Sequence, residues 1–409
     1  MKGLNILVLS CLLCLFLSVR AQTDTLHLWQ RDGKFIDRVA DSRVFRMTYI
    51  GVPLVAGGLL IKSEDDHFRH LRNDYLPHFN RHTDDYLQYL PAAVMLGMKL
   101  GGVEGRSSWG RMLASDAFSA LLMGSVVYSL KQTTHVMRPD GSNDHSFPSG
   151  HTATAFMTAT MLTKEYGHKS PWIGIGAYSV ATATGLMRIA NDKHWLSDVL
   201  TGAGIGILST EMGYYLADLI FKENGINRFA NNEIFGRWDK PSFFSLYIGM
   251  NIPLNSYNLD EQHELNTSTG STAGVEGAWF FNPYVGIGGR FTASNTAVIM
   301  HSKKMEGNTF DALSFCAGGY FSYPLSSRFQ VGSKLVGGYV HYPDWQLSDT
   351  SVRHREGLCI GSGISLTFRA TSHYGMKLFL DYNLIPSQSL GCKEWMNTLT
   401  AGSAFMVSF

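Results

Sequence analysis

The stretch His145-Ser-Phe-Pro-Ser-Gly-His-Thr-Ala-Thr-Ala-Phe156 decides the fold of the first half of the chain. Pro148 ends the segment before it, Ser149 is a suitable N-cap, and small helix-compatible residues follow from His151 onward. A helix that starts in this way directs unpaired backbone N–H groups, a serine hydroxyl and an imidazole to one place. Such a place binds an anion, and phosphate above all. The stretch therefore predicts an anion site at a helix start.

A basic segment precedes this stretch and reads Lys131-Gln-Thr-Thr-His-Val-Met-Arg138-Pro139. Lys131 and Arg138 are seven positions apart (138 − 131), which corresponds to two helical turns, so we expect both cations to face one way. Pro139 is expected to stop the helix with Arg138 at its end.

A second segment follows and reads Arg188-Ile-Ala-Asn-Asp-Lys-His194-Trp-Leu-Ser-Asp198. His194 and Asp198 differ by four positions (198 − 194), which places them on one face of a helix. The carboxylate can accept the Nδ1–H of the imidazole, fix its tautomer and leave Nε2 free as a nucleophile. Fixed cations, backbone donors, an activated nucleophile and an acid are the groups that phosphoryl transfer uses.

These three segments resemble the signature of the type 2 phosphatidic acid phosphatase superfamily, which also includes bacterial acid phosphatases and vanadium haloperoxidases. Residues 131–139 and 148–151 match that signature completely, and Arg188, His194 and Asp198 match it in spacing. One departure is Met187, which stands where the family usually has serine. The resemblance covers residues 44–222 and implies an all-α bundle of about six helices.

The resemblance also implies a role for each matching residue. His194 would attack phosphorus and form a phosphohistidine, Asp198 would orient it, and His151 would protonate the leaving alkoxide and then activate water. The phosphate-binding groups would be Lys131, Arg138, Ser149, Gly150 and Arg188. Neither a metal nor another cofactor is expected in this scheme. The neighbouring His135 and His145 match nothing in the signature and are expected to be solvated or to lie behind the site.

Composition and targeting signals place the chain in a cell envelope. The 409 residues carry 34 Lys+Arg against 33 Asp+Glu, which gives no electrostatic case for nucleic acid. Residues 1–21 read as a secretory signal peptide with a mature start at Gln22, and 22–43 form an N-terminal segment. Of the five cysteines, Cys316, Cys359 and Cys392 remain in the mature chain, so one disulfide is possible.

Helical patterns run through residues 47–61, 87–103, 112–130, 152–165, 171–190 and 196–221 of the phosphatase-like domain, 44–222. The first of these runs would span only about 22 Å as a helix, against a hydrocarbon core of about 30 Å. Asp116, Glu211 and Asp218 interrupt other runs, and ionisable groups are costly in hydrocarbon. We therefore expect the bundle to dock on or partly into a membrane face, and a true membrane-spanning domain is the alternative.

The pattern changes after a linker, 223–241. About eight runs with period two follow, near 242–252, 273–281, 283–293, 312–323, 327–342, 357–369, 373–384 and 399–409. Tight turns alternate with long loops, and aromatic residues stand at the strand ends, as in a bacterial outer-membrane β-barrel. Residues 242–409 are therefore predicted to form an antiparallel barrel of about eight strands, with a soluble β-sandwich as the alternative.

A barrel of eight strands is filled by its own side chains, so it is expected to anchor the chain and not to form a pore. Its even strand number and its rim of tight turns put the N-terminal side of the barrel, and with it the phosphatase-like domain, in the periplasm. The linker of about 20 residues reaches at most about 70 Å.

The sequence as a whole predicts a metal-independent phosphatase that acts on a lipid-linked phosphate at the bacterial envelope. The substrate classes considered are lipid A phosphate, polyprenyl diphosphate and phosphatidic acid, with lipid A phosphate first. One alternative is a vanadium-dependent haloperoxidase, in which His194 would bind vanadate. The other is a non-catalytic outer-membrane barrel protein that carries an idle helical domain.

Overall fold

The computed structural model describes residues 42–76, 78–222, 224–227, 238–255, 257–260, 263–300, 303–342, 345–347, 350–352, 356–369, 374–386 and 395–408. These residues fall into two compact units, a helical one up to residue 227 and a β one from residue 238. The predicted signal peptide, almost all of the segment 22–43, most of the linker and Cys392 lie outside the described residues.

The helical unit contains nine α-helices in the part of the chain that the structure describes. They are α1 Arg43–Thr48, α2 Gly51–Ile61, α3 Asp65–Tyr75, α4 Asp84–Leu87, α5 Leu90–Leu100, α6 Trp109–Thr134, α7 Gly150–Tyr166, α8 Pro171–Ala190 and α9 Leu196–Phe221. All six predicted runs are present as helices. The prediction missed α1, α3 and α4, which are short or too rich in charged residues to show an apolar period.

Helix α9 packs closely against its neighbours because it is rich in glycine. A Cβ atom on Gly206 would lie 2.3 Å from the carbonyl oxygen of Ala153 on α7, and one on Gly204 would lie 2.6 Å from the carbonyl oxygen of Gly51 on α2. Backbones can approach this closely only where no side chain intervenes. The start of α7 is thereby held against α9, and these two helices carry the site described below.

One helix among the described residues, α6, is long and apolar enough to cross a membrane by length and composition, which is weak evidence on its own. Only 17% of its most apolar window is buried. Leu113, Leu121 and Tyr128 of this helix are exposed. The helical unit thus presents apolar side chains on its surface along α6.

The second unit is a closed antiparallel barrel. Its eight strands are β1 Phe243–Pro253, β3 His263–Phe280, β4 Val285–Met300, β5 Lys303–Pro324, β6 Phe329–His341, β9 Gly357–Arg369, β10 Tyr374–Ile385 and β11 Met396–Ser408. Closure occurs because β1 pairs with both β3 and β11. A short strand, β2 (Tyr257–Asp260), pairs with β3, and β7 (Trp345–Leu347) pairs with β8 (Thr350–Val352). The predicted eight strands are confirmed, although β3, β4 and β5 continue into segments predicted as long loops.

Side chains alternate between an apolar outside and a polar inside along the barrel strands. On β1, Phe244 and Ile252 are exposed, whereas Ser245, Tyr247 and Asn251 are buried. A β-sandwich would bury its apolar face, so this alternation excludes the sandwich alternative.

Ion pairs fill the middle of the barrel interior. Glu276 pairs with Lys334 and with Lys377, the latter at 2.8 Å, and Asp381 pairs with Arg290 at 2.6 Å and with Lys334 at 2.8 Å. Two cavities of only about 50 and about 30 Å³ remain beside these charged residues. The interior is therefore occupied by side chains, as expected for a barrel of this size.

Two buried cysteines also face the barrel interior. The sulfur atoms of Cys316 and Cys359 lie 3.2 Å apart, and both cysteines are free thiols. They meet across Gly338, which lies between them in the strand register. The possible disulfide is thus not formed between these two residues.

Candidate active site

The predicted site residues Ser149, Gly150 and His151 lie at the start of α7. Ser149 is the N-cap and accepts a hydrogen bond from the backbone N–H of Thr152 at 3.4 Å. The backbone N–H of Ser149 donates to the carbonyl oxygen of Asp198 at 3.1 Å, which ties this helix start to α9. A Cβ atom on Gly150 would lie 4.0 Å from Cε of Lys131, so that lysine reaches the same helix start.

His194 and Asp198 form the predicted pair, although the two residues do not share a helix. His194 precedes α9, Trp195 is the N-cap, and Asp198 occupies the third helical position. The carboxylate Oδ2 of Asp198 lies 3.3 Å from Nδ1 of His194 and accepts the backbone N–H of Trp195 at 3.0 Å. It also accepts a hydrogen bond from the Ser146 hydroxyl. Asp198 therefore orients the imidazole from a helix N-terminus.

The surroundings of His194 keep its imidazole neutral. The side chain is 1% exposed, and burial lowers the pKa of His194 to about 4, against the opposing effect of Asp198. The charges of Lys131 and Arg188 act in the same direction as burial. Near neutral pH, His194 thus has an unprotonated nitrogen available for attack on an electrophile.

The prediction that Arg138 ends a helix two turns after Lys131 was wrong. Helix α6 ends at Thr134, and His135 follows in the left-handed conformation with φ 45°. Arg138 lies in the loop after the helix end. Lys131 and Arg138 therefore do not share a helix, and their spacing of seven residues does not place them on one helix face. The loop after α6 positions Arg138 at the site instead.

The cations nevertheless converge. Lys131 Nζ donates to the carbonyl oxygens of His145 and Ser146 at 2.5 and 3.4 Å. Burial and the nearby charge of Arg188 lower the pKa of Arg138, and its buried Nε has no hydrogen-bond partner among the described residues. Positive charges that repel one another in a half-buried place indicate a site for an anion.

Arg188 is the third cation and is held by a carboxylate that the sequence did not point to. Its Nη1 donates to Oδ2 of Asp84 at 2.6 Å, and both side chains are buried. The amide of Asn191 donates to the other oxygen of Asp84 at 3.2 Å. Asp84, on the short helix α4, thereby fixes the position of the Arg188 guanidinium.

His151 also meets a carboxylate of α4. Its Nε2 lies 2.9 Å from Oδ1 of Asp85. Burial and then the charge of Arg188 lower the pKa of His151, whereas Asp85 and Asp84 oppose that effect. His151 is half-buried, so a ligand at the site can reach it.

Helix α3 supports the loop that carries His194. Asp65 accepts the backbone N–H of Ser197 at 2.9 Å, and Arg69 binds Asp192 through two hydrogen bonds of 3.1 and 3.0 Å. Arg72 donates to the carbonyl oxygen of Ala190 at 2.9 Å. These contacts fix both ends of the loop, and α3 was not predicted.

All eight predicted site residues lie in or beside this cluster: Lys131, Arg138, Ser149, Gly150, His151, Arg188, His194 and Asp198. His135 and His145 stand apart and both pair with Asp144 at the surface. Met187, at the position of the family serine, is partly buried and its carbonyl oxygen accepts the backbone N–H of Asn191. In the described parts of the chain, no group of three His, Cys, Asp or Glu residues could hold a metal ion.

Fold and site together describe a helical unit with clustered cations and two imidazoles, followed in the chain by a closed antiparallel barrel with an apolar exterior. Residues 125–220, which lie within the helical unit, match the sequence model of the PAP2 superfamily. The lipid A 1-phosphatase of Porphyromonas gingivalis is 47% identical over 173 residues, which are 42% of this chain and 39% of that protein. The chain thus aligns with about two fifths of the length of this relative.

Solved structures similar to each unit were also found. LpxE of Aquifex aeolicus is 23% identical with a TM-score of 0.29, over 37% of this chain and 93% of that one. A PAP2-type phosphatidylglycerolphosphate phosphatase of Bacillus subtilis is 20% identical with a TM-score of 0.29, over 43% of this chain and 100% of that one. The outer membrane protein OprG of Pseudomonas aeruginosa is 13% identical with a TM-score of 0.30, over 42% of this chain and 95% of that one.

Proposed function

We propose that this protein is a lipid phosphatase, a phosphoric monoester hydrolase that releases phosphate from a lipid-linked substrate without a metal ion. The observation that carries the proposal is the buried His194, which is held by Asp198 within reach of the charges of Lys131 and Arg188. A neutral nucleophile beside fixed cations is what attack on a phosphate group requires.

The proposed reaction has two steps. In the first, Nε2 of His194 attacks phosphorus, the bond from phosphorus to the leaving oxygen breaks, and His151 gives that oxygen a proton. In the second, His151 takes a proton from water, the water oxygen attacks phosphorus, and the bond from phosphorus to Nε2 of His194 breaks, which releases phosphate and restores the neutral imidazole. Lys131, Arg138, Arg188, Ser149 and the Gly150 amide bind the phosphate oxygens.

The substrate class that we favour is lipid A phosphate. The relative with 47% identity is a lipid A 1-phosphatase, which supports the 1-phosphate as the group removed. Exposed apolar residues along α6 and a barrel with an apolar exterior support action at a membrane. Polyprenyl diphosphate and phosphatidic acid are the competing substrate classes.

We further propose that the barrel anchors the protein in an outer membrane, with the helical unit on the periplasmic side. The turns Phe281–Tyr284 and Leu325–Arg328 are short, as periplasmic turns of such barrels are. The chain enters the barrel at the rim that carries these turns, because β1 pairs antiparallel with β3 and Phe243 faces Ala278 in the register.

The test is phosphate release by the purified full chain in detergent and EDTA, on lipid A, polyprenyl diphosphate and phosphatidic acid. We expect release from lipid A in EDTA. The variant His194→Asn should lose about 10³-fold or more of the rate because the nucleophile is gone. The matched control is His135→Asn, since His135 lies outside the site and asparagine tolerates its left-handed backbone.

Two results would overturn the proposal. One is equal activity of the His194→Asn and wild-type proteins on every phosphate tested. The other is halide oxidation after addition of vanadate, together with no phosphate release in its absence, which would establish the haloperoxidase alternative.

A further inference from the structure

The carboxylates of Asp84 and Asp85 on α4 divide their contacts between two groups of the active site. Asp84 is buried and binds Arg188 and Asn191. Asp85 lies beside it with its side chain 44% exposed, and it contacts Nε2 of His151 at 2.9 Å. Asp85 Oδ1 also lies 3.8 Å from Nη1 of Arg188. The shorter contact of each carboxylate is thus to a different group: Asp84 binds the guanidinium of Arg188, and Asp85 binds the imidazole of His151.

We propose that Asp85 is a positioning residue for His151: it accepts the Nε2–H and leaves Nδ1 as the ring nitrogen that exchanges a proton with the leaving oxygen. This inference rests on the proposed phosphatase function. It adds a second imidazole–carboxylate pair to that of His194 and Asp198, and the two pairs use opposite ring nitrogens. Among the described residues, Nδ1 of His151 makes no hydrogen bond, and the side chain is half-buried, which leaves this nitrogen available to a ligand in the proposed site.

The tautomer follows from the donor and acceptor count. A carboxylate can only accept, so Nε2 must carry the hydrogen in the contact with Asp85. In the neutral ring, Nδ1 is then the acceptor that takes a proton, and in the charged ring it is the donor that gives one. Without Asp85, nothing in the described surroundings of Nε2 selects this tautomer.

Asp85 also offsets two influences that keep His151 uncharged. The groups facing His151 are Arg188 from α8 and Asp84 and Asp85 from α4. Burial and Arg188 disfavour the imidazolium, whereas the two carboxylates favour it. Of the two carboxylates, Asp85 is the one that is hydrogen-bonded to the ring. His82 lies 3.6 Å from the other oxygen of Asp85 and is exposed to solvent.

The first test does not depend on activity. The pKa and tautomer of His151 are measured by ¹⁵N NMR of the full chain in detergent, with His151→Asn to assign the signal. In Asp85→Asn we expect a lower His151 pKa and a loss of the Nε2–H preference. The matched control Asp66→Asn, an exposed carboxylate on α3, should leave both unchanged. An unchanged pKa and tautomer in Asp85→Asn would overturn the assignment.

The second test separates proton transfer from folding. Phenyl phosphate needs a protonated leaving oxygen more than p-nitrophenyl phosphate does, because p-nitrophenolate leaves unaided. For Asp85→Asn we expect kcat on phenyl phosphate to fall about 10- to 100-fold, with a much smaller loss on p-nitrophenyl phosphate. The Asp85→Glu variant should recover part of the loss. Equal losses on both esters would mean that Asp85 only supports the fold.

The two hypotheses fail in different ways. If wild type and His194→Asn hydrolyse both esters equally, the proposed function is wrong whatever the NMR result. If His194→Asn is inactive while Asp85→Asn keeps wild-type rates and a wild-type His151 signal, the phosphatase survives and the role of Asp85 is wrong.

Discussion

Two opposing effects determine the charge of the His194 imidazole. Burial drives the imidazole towards its neutral form, and the Asp198 carboxylate drives it towards the charged form. Burial is the larger effect, so the ring is neutral in the folded protein near neutral pH. In the proposed reaction its charge would develop only as the bond to phosphorus forms, and Asp198 would stabilise that charge in the transition state and not before it.

Replacing Asp198 with Asn tests this division of roles. We expect kcat/KM to fall about 10²- to 10⁴-fold because the amide no longer stabilises the charged ring and can select the wrong tautomer. His194 must be neutral to attack, so the wild-type kcat/KM should decline as pH falls towards about 4. In Asp198→Asn, a group that raises the pKa of His194 is lost, so this decline should move to lower pH. The measurement is a pH profile of kcat/KM, and a decline that moves to higher pH would contradict the account.

At the scale of helices, the site depends on how closely α7 and α9 approach. Helix α7 supplies the N-terminus of the proposed phosphate site and α9 supplies Asp198, and the backbone hydrogen bond from the N–H of Ser149 to the carbonyl oxygen of Asp198 joins the two helices. Gly202 permits this approach, since its Cβ would lie 2.5 Å from the carbonyl oxygen of Ser149. The glycines of α9 therefore hold the geometry of the site without contacting the ligand.

Two glycine-to-alanine variants separate helix propensity from close packing. Gly124 on α6 has nothing within 4 Å of an added Cβ, so Gly124→Ala should stabilise the helix by about 0.5–1 kcal/mol. In Gly206→Ala the new methyl group meets the carbonyl oxygen of Ala153, and we expect net destabilisation by about 1–3 kcal/mol. The temperature at which phosphatase activity is half lost should rise in the first and fall in the second. The same shift in both would rule out a packing role for Gly206.

Local sequence patterns predicted the helices and strands, whereas the contacts between residues far apart in the sequence could not be predicted from such patterns. The eight barrel strands and six helices could be predicted because apolar residues recur with a period of two in strands and 3.6 in helices, which is a property of residues close together in the sequence. Asp84 and Asp85 were not visible, because they reach Arg188 and His151 across 104 and 66 positions and lie on a helix of only four residues. The prediction extended the helix to Arg138 because the residue that ends it in the left-handed conformation is His135. Glycine, the usual sequence signal for such a helix end, is absent at this position.

At the scale of the whole molecule, the chain combines a helical unit that carries the proposed phosphate site with a barrel whose described interior is filled by side chains. The charged residues in the middle of the barrel neutralise one another, and the cavities on either side are small. In the proposed function the barrel contributes attachment to the membrane, and the helical unit carries out the chemistry. This division agrees with the family match, which lies entirely within the helical unit.

The proposed orientation can be tested in cells. Protease added to intact cells should leave the helical unit whole, because the periplasmic side of an outer membrane is not accessible from outside. After the outer membrane is permeabilised, the same protease should degrade it. The readout is an immunoblot against the helical unit, with a known periplasmic protein as the control for permeabilisation. Digestion in intact cells would refute the periplasmic placement.

Closure of the barrel has a consequence for biogenesis. The strand that completes the ring, β11, ends at Ser408 and pairs with β1, which begins at Phe243. Neither β1 nor β10 can satisfy its outer row of backbone groups until those last residues have been synthesised, so a nascent or truncated chain has two unpaired edges able to recruit other strands. The ring can therefore be completed only after Met396–Ser408 has been synthesised, and until then the open edges are exposed to aggregation.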